Sequence, residues 1–200
     1  MAILSGSDAR LFIRGISGSA EDTTIEAIVD KVDALVASWL GLPRNSSGAY
    51  TVASSTYVSY ITGDGSRELR LPAVPVVSVS SIYDDPDLTY DDAADLVAAS
   101  DFTLFGDEGL VLLKPDATHG IWTMTPRAIK ATFIGGWVTL PEDVKLAVGM
   151  QTSHMWGARD HIGRSKISQG GGSFEVSSMS LLPEVKRALA PWRIASTWIG

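Results

Sequence analysis

Apolar residues recur at helical spacing between Ile25 and Leu40: Ile25, Ile28, Val29, Val32, Leu35, Val36, Trp39 and Leu40 form one stripe, with charged and small residues between them. A period of about 3.6 predicts an amphipathic helix over about Thr23 to Leu40. Thr23 and Glu26 have the spacing of a capping box, and Gly41 with Pro43 supplies the stop. From Tyr50 to Ile134 the pattern shortens to a period of two, rich in Val, Thr, Tyr and Ser and punctuated by Gly, Pro and Asp. Short antiparallel strands are expected at 56–62, 67–71, 76–83, 101–105, 110–114 and 127–134. Gly63-Asp64-Gly65 and Gly106-Asp107-Glu108-Gly109 read as hairpin turns.

The last of these strands meets a second helix with no residue to spare. Ile129, Ala131 and Phe133 alternate with Lys130, Thr132 and Ile134, and Gly135-Gly136 then permit a sharp turn. Pro141 suits a helix start, and Glu142 and Asp143 favour the positive end of its dipole. That helix is expected to run to about Ala158. A Gly/Ser-rich loop follows from Gly163 to Ser178, then a final helix from Pro183 whose apolar face carries Val185, Leu189 and Trp192. Pro191 ends or kinks it. Residues 84–100, acidic and then alanine-rich, are a candidate for one short helical turn. Residues 1–22 read as a loosely held arm with Leu11, Phe12 and Ile13 available for docking, and 194–200 as an apolar tail.

The expected class is therefore α+β: a small bundle of three main helices, residues 23–49 and 135–193, with a β-rich section, residues 50–134, inserted after the first. Two hundred residues, 45% of them hydrophobic and 20% charged, suffice for a buried core with a small satellite. No apolar run approaches the ~20 residues of a membrane helix. The N-terminus lacks a secretory pattern and the chain has no cysteine, which fits synthesis in a cytoplasm and excludes disulfides and thiolate metal sites. A net charge of −7 argues against tight binding to phosphate backbones, yet a repulsive wall suits a passage through which DNA slides.

Candidate chemistry is thin. Asp84, Asp85, Asp87, Asp91, Asp92 and Asp95 suggest calcium or paired carboxylates. Counted from Asp85 as a calcium loop, however, Tyr90 stands where Gly belongs and Leu96 where the bidentate Glu belongs. An exposed acidic loop gives two carboxylates no cause to separate their pKa values, so a solvated loop is the plainer expectation. His154 and His161 sit roughly 10 Å apart along a helix, too far to share a metal, and His119 lies in a turn. Gly63 to Glu68 lacks the third glycine of a dinucleotide loop and precedes a strand, and Gly15 to Ser19 misses the nucleophile elbow. No catalytic residue, cofactor or metal site is named. The six tryptophans read as packing or interface residues more readily than as a carbohydrate platform. Arg159, Arg164 and Lys166, ahead of Gly170, Gly171 and Gly172, make a basic loop that either touches an acidic neighbour or simply connects.

Three stretches carry a resemblance: Ala37-Ser38-Trp39-Leu40-Gly41; residues 60–79, YITGDGSRELRLPAVPVVSV; and residues 133–160 with Leu181-Leu182-Pro183-Glu184-Val185. Over about Thr23 to Arg193 the chain resembles the head–tail connector, or adaptor, proteins of tailed phages and gene transfer particles. The resemblance implies a structural virion protein of the neck without enzymatic activity. It implies a ring of identical subunits, a dodecamer matching the portal, bound beneath the portal protein. Such a ring extends the DNA channel, passes double-stranded DNA without reading its sequence, and offers the tail side a surface for a stopper or other neck protein. On this view Trp192, Arg193, Ile194, Trp198 and Ile199 would dock on the portal or a neighbour, and the basic glycine-rich loop would adapt to a neighbour. A stopper or tail-completion protein is the alternative within the same class; a carbohydrate- or calcium-binding β-module, or a hydrolase using Asp91 and Asp92, are the alternatives outside it.

Overall fold

The computed structural model describes residues 3–159, 166–169, 172–175 and 180–194, with backbone alone at 166–169 and 172–175. The class is α+β. The chain forms two compact units: a helical unit from Met1–Leu40 and Leu140–Arg193, and a β unit from Gly41–Thr139 with Ile194–Gly200.

In the helical unit, α1 (Gly6–Arg10) is followed by α2 (Asp22–Leu40), α3 (Glu142–Ala158) and α4 (Pro183–Leu189). The apolar stripe of α2 buries Ile25, Ile28, Val29, Val32, Val36 and Leu40, leaving Leu35 and Trp39 half-buried. It packs on α3 through Val144, Ala147 and Val148, while α4 closes the core with Val185 and Leu189. α2 starts one residue before the expected Thr23, and Glu26 closes no capping box: its carboxylate accepts the Gly6 N–H at 3.1 Å. That bond belongs to a correction at the N-terminus. Ser5 caps α1, Arg10 pairs with Asp22 at 2.9 Å, and Ile3, Leu4, Ala9 and Ile13 are buried, so the segment read as a loose arm is docked. Its anchor is Phe12, whose ring lies where a Cβ on Gly149 of α3 would stand, 2.5 Å away. A glycine at 149 is the space that Phe12 fills.

The β unit holds two three-stranded antiparallel sheets. In the first, β6 (Ile129–Gly135) lies between β1 (Ser55–Ile61) and β3 (Val76–Asp84). In the second, β5 (Leu110–Leu113) lies between β2 (Glu68–Arg70) and β4 (Phe102–Phe105). All six strands begin and end within a few residues of expectation. Their pairing differs at one turn, because β1 pairs with β6 and β2 with β5, so Gly63 to Gly65 links two sheets and closes no hairpin. The Gly106–Gly109 turn does join paired strands, β4 and β5, through a 3-10 turn at Gly106–Glu108 with Gly109 left-handed. The inner face of the first sheet packs Tyr57 on Phe133, rings stacked 5.7 Å apart, with Ile129, Ala131 and Ile82. Gly135 and Gly136 are required by close approach: a Cβ on Gly135 would stand 2.4 Å from the Ala73 carbonyl, and Gly136 is left-handed at φ 93° against Ala53.

Residues 84–100 hold no helical element; instead Tyr83 and Leu96 form an isolated bridge. The stretch read as a Gly/Ser-rich connector contains a two-stranded antiparallel ribbon, β7 (Lys166–Gln169) and β8 (Gly172–Glu175), in which Ile167 stands opposite Phe174. A short strand that begins on a glycine, as β8 does at Gly172, looks the same in sequence as a stretch of linker.

Candidate functional site

The residues singled out for contact with a portal or neighbour begin just after α4. Ala190–Trp192 form a 3-10 turn, ended as Pro191 dictates. Trp192 is 37% exposed, and its Nε1–H donates to Asp143 Oδ2 at 2.8 Å at the start of α3. Next to it, the Arg193 guanidinium lies 5.4 Å from the ring centre of Trp39, at the end of α2. Two consecutive side chains thus tie the end of α2 to the start of α3. Ile194 is half-buried, and Trp198 and Ile199 lie outside the described residues.

Of the basic loop, Arg159 follows α3 directly, its guanidinium 3.8 Å over the Trp156 ring and bonded to the Trp156 carbonyl at 3.0 Å. Lys166 and Gly172 are strand residues of the ribbon; Arg164, Gly170, Gly171 and His161 lie outside the described residues. Sequence reasoning missed Gln151. Fully buried on α3, its amide donates to the Ser180 carbonyl at 3.3 Å and accepts the Leu182 N–H at 2.9 Å, which positions the start of α4. A glutamine amid Val148, Thr152 and Met155 was the available signal.

The acidic segment is only partly solvated. Asp85 is buried, and its carboxylate accepts N–H bonds from Asp87, Thr89 and Tyr90 and the Thr89 hydroxyl, at 2.6–2.9 Å. These bonds, Tyr90 N–H foremost, hold its pKa down to about 2. Asp84 is buried too, accepts the Thr123 N–H at 3.2 Å through Oδ2, and leaves Oδ1 without a partner. Burial pushes its pKa up, against the Thr123 bond and the nearby His119. Asp91 and Asp92 are exposed. Among the described residues, no three His, Asp or Glu side chains are grouped to hold a metal ion.

Beside this loop, three non-glycine residues, Leu88, Tyr90 and Arg127, adopt left-handed backbone angles. The Tyr90 hydroxyl donates to the Arg127 carbonyl at 2.6 Å, Arg127 lies 5.0 Å from the Tyr60 ring, and Lys130 lies 5.3 Å from that of Tyr90. With Arg44 over Tyr50 at 4.7 Å, three cations of the β unit rest on aromatic faces.

No family model and no curated protein matches the chain. Among solved structures, it is similar to a chain described as "Neck of empty GTA particle computed with C6 symmetry". The likeness is one of fold. It spans 96% of this chain and 90% of that one, with a TM-score of 0.59 at 17% sequence identity. Both units thus have counterparts in one polypeptide of a gene transfer agent neck. Among the described residues, no helix is long and apolar enough to cross a membrane.

Proposed function

We propose that this protein is a structural component of the neck of a phage-like particle, an adaptor that assembles as a homo-oligomeric ring beneath the portal. The observation that carries the proposal is the shared fold over nearly the whole chain with a chain of a gene transfer agent neck. The sequence resemblance to head–tail connectors, made on other grounds, points to the same part of the particle. The net charge of −7 supports a channel role, in which DNA passing through is repelled from the wall and slides. The role requires no catalysis, cofactor or metal, and the protein would reside in the virion after synthesis in the host cytoplasm.

Electron microscopy of the purified protein, alone and mixed with its portal, tests this. Closed rings with a DNA-wide hole, twelve subunits around, or an added tier on the portal are expected. Single subunits that ignore the portal at high concentration contradict the proposal, and attachment to the tail side alone would make the protein a stopper. The apolar tail from Ile194, with Trp198 and Ile199, is assigned to the portal; a chain cut after Arg193 should lose portal binding, and undiminished binding removes that assignment.

A further inference from the structure

The helical unit carries an open groove of about 570 Å³ between its N-terminal segment and α3, lined by Ile3, Leu4, Leu11, Phe12, Glu142 and Leu146 among others. Its floor is buried, yet Leu11 is 84% and Leu146 51% exposed, and Met150 one turn further along α3 is 38% exposed. α3 therefore presents large apolar side chains both to its core, through Val144 and Val148, and away from it. A helix with large apolar side chains on two sides carries more apolar surface than its own core covers. Asp8 and Glu142 place carboxylates at the rim, the latter paired with Lys145 at 2.6 Å.

The β unit carries a complementary feature. Between β5 and β6, Ile121 and Met124 are 58% and 69% exposed, and Arg127 follows three residues later. This segment is held firmly from within. Trp122, fully buried, donates its backbone N–H to the Ser66 carbonyl at 2.8 Å and its ring N–H to the Arg67 carbonyl at 3.1 Å, and Thr123 N–H is bonded to Asp84. Two large apolar side chains are thus displayed on a fixed backbone, the arrangement that makes binding least costly in ordering.

We propose that the groove of one subunit receives the Ile121–Met124 segment of a second copy, with Arg127 facing the acidic rim. The proposal rests on the ring reading above. A ring needs two different surfaces on every subunit, one for each neighbour, and a groove plus a projecting segment supplies them, whereas a two-fold dimer would use one surface twice. Apolar side chains match the apolar floor, and a cation matches Asp8, since Glu142 already has Lys145 beside it.

The test exploits the absence of cysteine from the chain. In rings assembled from the Leu146→Cys, Met124→Cys double variant, a short bis-maleimide should give a ladder of covalent multimers, while each single variant stays at the monomer or at most the dimer. Leu11→Asp and Met124→Asp, both at exposed positions, should each raise the concentration needed for assembly about tenfold or more with thermal melting unchanged. Rings of the double variant that give no ladder, or cross-links only within one chain, overturn the inference and leave the ring reading standing. Assembly lost by cutting after Arg193 but untouched by Met124→Asp overturns it in favour of the tail as occupant. If wild-type protein forms no ring alone or on its portal, the ring reading falls and this inference with it.

Discussion

Adjacent residues at the end of β3 respond to acid in opposite senses. Asp85 is stabilised as a carboxylate, so its contribution is complete above the unfolded value of about 3.9 and is lost as pH falls toward about 2. Asp84 is raised by burial, so the fold favours its protonated form, and ionisation with rising pH withdraws stability. Asp84→Asn should therefore raise the melting temperature at pH 7 and flatten its rise on mild acidification. Asp85→Asn should lower it at pH 7 and lessen its decline between pH 4 and 2, the remainder coming from Asp64 and Asp101, whose bonds also hold their carboxylates down; thermal melts across pH 2–8 distinguish the two. Gln151 is a third single-residue determinant. Gln151→Ala removes the acceptor of the Leu182 N–H at the start of α4 and should cost about 1–3 kcal/mol, seen as early proteolytic release of the segment carrying α4.

At the level of elements, Gly135 fixes where β6 can lie. Gly135→Ala drives a methyl against the Ala73 carbonyl, a backbone atom that cannot swing away, and should loosen β3 from β6, with faster amide exchange at Val79 and Ile82. Gly149→Ala displaces the Phe12 ring and should free α1 at a cost of about 1–3 kcal/mol; protection of the Ala9 and Phe12 amides reports it. These elements also show what was legible beforehand. Periods of 3.6 and two are local properties, so α2, α3 and all six strands of the β unit could be placed from the chain alone. Partner choice is not local: nothing in Gly63-Asp64-Gly65 distinguishes a hairpin from a crossing between sheets. The docking of α1 was hidden because it depends on an absent side chain at Gly149, and the capping role of Gln151 because its partners lie 29 and 31 residues away. Residues named for contact were legible as apolar or basic, but Trp192 and Arg193 gave no sign of their engagement with Asp143 and Trp39.

For the whole molecule, the β unit is spliced into the helical unit, the chain leaving after Leu40 and returning at Leu140. The points of departure and return are joined across by Arg193 on Trp39 and Trp192 on Asp143. That clasp makes the protein modular. A chain in which residues 41–139 give way to a short linker keeps α1 to α4 and the contacts that bind them. It should fold as a small helical protein, recognisable by its circular dichroism, in which a different insert can be seated without redesigning its host.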